Sequence, residues 1–96
     1  TKAGVSPTDA LALARAVVAL PRLVLRGLMT IPDPVEGFDA QLVVHMQAKH
    51  VLDDLHASLG LPLFDTLSMG MSADLEAAVQ AGSTMVRVGT AVFGAR

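Results

Sequence analysis

Two short segments of this chain hold the residue types that bind an anion: Ser68-Met69-Gly70-Met71-Ser72 and Arg87-Val88-Gly89-Thr90. Each follows an apolar run and precedes a stretch of helical character. Small residues at such a junction leave backbone N–H groups bare, and the hydroxyls of Ser68, Ser72 and Thr90 add further donors. The positive end of a helix dipole then favours phosphate or carboxylate. A plainer account exists for each segment alone: a serine before a helix often only caps it, and Gly89 could serve a tight turn. Two such segments on consecutive units argue for an anion site. Arg87 adds a positive charge. Alternation along a strand puts Met85, Arg87 and Gly89 on one face, opposite Val86 and Val88. An arginine inside a buried strand needs a partner, either a structural salt bridge or a bound group.

Other constellations carry less. His45, His50 and His56 are spaced by five and six, which places them on different sides of a helix and predicts no metal site. Asp53-Asp54 diverge as neighbours and read as a solvated helix face. Met29, Met46, Met69, Met71 and Met85 read mostly as core fillers. No nucleophile–base pair is visible, so no catalytic residue is predicted. There are no cysteines, which removes thiol chemistry and favours a cytoplasmic setting. A net charge of −2, with 7 basic against 9 acidic residues, argues against a nucleic-acid partner. Arg15, Pro21, Arg22 and Arg26 interrupt the most apolar stretch, Ala10 to Ile31, so no window reaches the roughly 20 apolar residues that span a bilayer. Nor does the start of the chain have the apolar core of a signal peptide.

The elements that must position these residues alternate. Ser6-Pro7-Thr8-Asp9 starts a helix that runs through Ala10–Leu20, with Leu11, Ala14 and Val18 on its apolar face and Pro21 at its end. Leu23–Ile31 reads as a strand buried on both faces, stopping at Pro32-Asp33-Pro34. A long helix from Phe38 to Leu59 closes at Gly60. A second strand, Leu63–Leu67, leads into the first candidate segment. A helix from Ala73 to Ala81 follows, capped by Ser72 and ended by Gly82. Thr84–Val88 is a third strand, and Gly89-Thr90-Ala91 opens a short last turn.

Strands alternating with helices predict an α/β fold with a parallel sheet. Three strands cannot close a barrel. With 52% hydrophobic residues and a mean hydropathy of +0.54 in 96 residues, the chain is richly apolar for its size. It reads as a single partial domain, residues 1–96, cut from a larger unit. Its apolar faces and open sheet edges would meet the remainder of that unit or another copy of the fragment.

Leu67-Ser68-Met69-Gly70-Met71-Ser72-Ala73-Asp74-Leu75-Glu76-Ala77-Ala78 and the run from Gly82 to Arg96 resemble the C-terminal signature of the pyridoxal-phosphate homeostasis (YggS-like) family. Arg26–Pro32 resembles that family's sixth strand, and Lys2-Ala3-Gly4 its segment after the fifth. The resemblance spans essentially the whole chain. It implies the C-terminal portion, about strands six to eight, of a fold-type III TIM barrel like the N-terminal domain of alanine racemase. It also implies pyridoxal 5′-phosphate (PLP) as cofactor. Ser68, Ser72, Gly89 and Thr90 would form the phosphate cradle, Met71 would lie near the cofactor, and Arg87 would face the pyridine nitrogen. An arginine there disfavours protonation of that nitrogen and weakens the electron sink, which implies holding the cofactor in homeostasis without turnover. The family's attachment lysine lies on its first strand. Neither Lys2 nor Lys49 matches it, and Lys49 reads as a solvated surface charge, so the missing N-terminal part of the barrel would supply it. A racemase-like enzyme, which would also need a catalytic tyrosine, and a self-associating half-barrel are the alternative readings.

Overall fold

In the computed structural model, which describes residues 4–94, the central element is the helix α2 (Phe38–Leu59). Its 22 residues include few helix-breakers. Gly60 ends it in the left-handed conformation, φ 65°, with its N–H on the His56 carbonyl. His45, Leu52 and Leu55 are buried along one side, at spacings of seven and three that keep them on one face. α1 (Pro7–Val18) precedes it with Pro7 in its first turn. Ser6 sits at the N-cap, where its hydroxyl bonds Thr8 and Asp9 side chains and no backbone N–H. Ala10 and Ala14 are its buried residues, whereas Val18, expected on the apolar face, is exposed. The helix stops two residues before the predicted Leu20.

Two strands, β1 (Gly27–Met29) and β2 (Thr66–Ser68), pair in parallel with Leu28 opposite Leu67 and Met29 opposite Ser68. Both are shorter than the sequence predicts. Leu23 and Val24 lie outside the ladder and exposed. Leu63–Asp65 turns instead of extending, with the Arg26 carbonyl accepting from the N–H groups of both Asp65 and Thr66. The expected third strand, Thr84–Val88, is reduced to one parallel bridge between Met85 and Ser68. Hydroxyls explain this: the Leu67 N–H donates to Thr84 Oγ1 at 2.7 Å, the place a strand carbonyl would take. Ser83 Oγ donates to the Met69 carbonyl at 2.7 Å.

α3 (Leu75–Ala81) begins two residues later than expected, with Asp74 and not Ser72 at its N-cap position. Gly82, φ 112°, ends it. α4 (Thr90–Phe93) is a single turn. The core lies between the strands and α2 and α3, where Phe64, Leu67, Met69, Ala77 and Ala78 are at most 1% exposed. Only Met69 of the five methionines is a core filler; Met29, Met46, Met71 and Met85 are exposed. Among the described residues, no helix is long and apolar enough to cross a membrane.

Candidate functional site

The first predicted segment lies at the C-terminal end of β2 and the second just past the Met85–Ser68 bridge, and backbone bonds stitch them side by side. The Met69 N–H donates to the Met85 carbonyl at 3.0 Å, and the Arg87 N–H to the Gly70 carbonyl at 2.9 Å. Gly70 lets the first segment lie close against α3. Its φ is +99°, and a Cβ there would stand 2.4 Å from the Cβ of Ala78. Met71 is exposed and Ser72 partly so; Gly89 and Thr90 are exposed at the start of α4.

Arg87 is half-buried and its partners are neutral, not the carboxylate that a structural salt bridge would need. Nη1 donates to Ser68 Oγ at 2.7 Å and Nη2 to the Thr30 carbonyl at 2.7 Å. The guanidinium thus ties the exit of β1 to that of β2. A hydroxyl that accepts from an arginine keeps its own hydrogen to donate, so Ser68 remains a donor. Thr30 Oγ1 is buried with no hydrogen-bond partner among the described residues.

Asp74 was not singled out by sequence reasoning, yet it organises the first segment. Its Oδ1 accepts the Met71 N–H at 2.9 Å, and its Oδ2 lies 2.8 Å from His45 Nε2. Burial raises the Asp74 pKa. The Met71 N–H, the His45 hydrogen bond and the His45 charge outweigh that and hold it below the ordinary 3.8. The carboxylate is therefore ionised and can only accept, which puts the hydrogen on Nε2. The spacing of 29 residues between the two partners carries no local signal in the sequence.

The three histidines do not converge. His45 is 1% exposed, His50 is exposed, and His56 Nδ1 lies 2.9 Å from the Phe64 carbonyl. Among the described residues no group of three His, Asp or Glu side chains could hold a metal. Lys49 is not simply solvated, since its Nζ reaches Asp53 at 2.6 Å. Lys2 lies outside the described residues. A cleft of about 630 Å³ opens elsewhere, between α1, β1 and α2, lined by Ala10, Leu28, Ile31 and Val51 among others. It includes none of the six predicted site residues, and its apolar lining offers an anion little. The strand-end donors are the better candidate site.

The family model for the alanine racemase N-terminal domain matches residues 1–96, and the chain belongs to that family. Its fold is accordingly that of a TIM-barrel family, seen here as two parallel strands with flanking helices. The pyridoxal phosphate homeostasis protein of Pseudomonas aeruginosa is 54% identical over all 96 residues, and that of Vibrio cholerae 47%. The chain spans about 40% of the length of each. PipY of Synechococcus elongatus, solved with PLP bound, superposes with a TM-score of 0.86 at 33% identity, covering 97% of this chain and 44% of that one. Its PLP-free structure gives 0.87 at 34% identity, over 98% of this chain and 44% of that one.

Proposed function

We propose that this chain is the C-terminal, phosphate-holding side of a PLP-binding TIM barrel that serves PLP homeostasis without turning over a substrate. The observation that carries the reading is the stitching of the Ser68–Ser72 and Arg87–Thr90 segments into one donor-rich patch at the strand ends. The likeness to a PLP-bound protein over nearly the whole chain supports the cofactor. The donor set suits the group: backbone N–H groups and hydroxyls at Ser72, Gly89 and Thr90 for the phosphate, with the Arg87 cation alongside and Met71 at the rim. When bound, PLP supplies an electron-withdrawing ring.

Within that site Ser72 and Thr90 would donate to the phosphate, while at Gly89 a Cβ would have no heavy atom within 4 Å, so the chain there is open to a ligand. Ser68 acts one step back, passing the position of β2 to Arg87. The guanidinium, permanently charged, would disfavour protonation of a pyridine nitrogen held beside it. The site then retains the cofactor and resists the carbanion chemistry that a protonated ring would promote.

Replacing Ser72 by Ala and Thr90 by Val together should weaken PLP retention in the intact natural protein by about 100-fold or more, from the loss of two hydrogen bonds to a charged group. Near-visible absorbance after dialysis measures it, and unchanged retention would sink the assignment. The family's own description keeps racemase-like activity as a second reading. Interconversion of alanine enantiomers by the purified protein would favour it over a cofactor holder.

A further inference from the structure

His45 is the one fully buried polar side chain of α2 among the described residues. Its Nδ1 is buried with no hydrogen-bond partner among those residues. An unpaired buried nitrogen is unfavourable, so whatever offsets it must act through Nε2. That atom meets Asp74 Oδ2 at 2.8 Å, and the other oxygen of the same carboxylate takes the Met71 N–H. The Asp74 N–H in turn donates to the Met71 carbonyl at 3.2 Å, which closes the turn.

We propose that His45 is a positioning residue: through Asp74 it fixes the shape in which the Met69–Asp74 loop presents its donors, so that anion affinity depends on an imidazole that never touches the anion. The inference rests on the reading of this loop as part of the phosphate cradle. The mechanism is mechanical. α2 is long and packed against both α3 and α1, and a carboxylate anchored to it cannot swing toward an incoming phosphate, where its charge would repel. With Nε2 gone, Asp74 is free to turn, and the Met71 amide loses the acceptor that orients it.

The test uses the intact natural protein, with PLP and inorganic phosphate as probes. His45→Leu should keep the fold and weaken both probes by about tenfold, as expected for one lost hydrogen bond to a charged group. His45→Gln places an amide N–H near the Nε2 position and should restore affinity to within about twofold of wild type, a change small on the scale of one hydrogen bond. A purely structural role would follow packing volume and would give no such rescue. Asp74→Asn, which offers one acceptor oxygen where two are used, should resemble His45→Leu and stands in for it if that variant does not fold. Wild-type affinity in both His45→Leu and Asp74→Asn overturns the proposal, as does equal loss in His45→Leu and His45→Gln. If the wild type binds neither probe, the cradle reading falls. The Met71 and Ser72 amide resonances then decide the positioning claim alone: shifts in His45→Leu that His45→Gln reverses support it, and unmoved resonances overturn it.

Discussion

At Gly70 a single missing methyl group lets the first site segment pack against α3. A Cβ there would meet Ala78 at 2.4 Å in a backbone conformation that side chains rarely adopt. Gly70→Ala should therefore cost about 1–3 kcal/mol from strain and displacement together, read as a lowered urea midpoint, and should also weaken PLP retention. Asp74 gives a prediction with a sign. Its folded pKa lies below the ordinary 3.8, so its contribution is complete above that value and is lost as pH falls through the lower, folded one. Stability of the wild type should fall more steeply than that of Asp74→Asn as pH drops below 3.8. Asp65, held low first by its hydrogen bond to Arg26, titrates in the same range. It is fully exposed, so added salt should erase its share and leave that of Asp74 largely intact.

The elements show how much the sequence reveals and where local signals stop. α2 was legible from Phe38 to Leu59 because periodicity and a terminal glycine are local. The strands were legible in place but not in length, because pairing depends on distant partners. Nothing local says that Thr84 will give its hydroxyl to Leu67 and so replace a ladder with one bridge. The site segments were readable from hydroxyls and glycines at strand exits, whereas the Asp74 anchor was not. Gly27 marks the tightest approach between elements. A Cβ there would fall 1.6 Å from the Thr66 carbonyl oxygen, so no side chain fits without parting the strands. Gly27→Ala should abolish the β1–β2 pairing, seen as lost exchange protection at the Thr66 and Thr30 amides, while α2 keeps its helical circular dichroism.

Over the whole molecule, large apolar side chains remain exposed. Leu13, Leu20, Leu23, Val24, Met29, Met85 and Phe93 are all about half exposed or more. Met29 and Met85 flank Ser68 in register, so two of these side chains lie on the same sheet face as the candidate site. The 96-residue chain alone should associate as its concentration rises, which sedimentation equilibrium would show as a mass above 9.9 kDa. A mass that stays monomeric at all concentrations would mean that these faces do not recruit one another.

The distance along the chain between the paired strands bears on time as well as on shape. Arg26 and Asp65, joined beside the start of the sheet, are 39 positions apart, and all of α2 lies between them. A helix gains its bonds from near neighbours within microseconds, while the strands wait on closure of a long loop. On refolding, the helical signal should therefore rise before the strand amides are shielded. The donor patch at the strand ends would be the last part of the molecule to take form, and cofactor could be captured only at the end of that sequence of events.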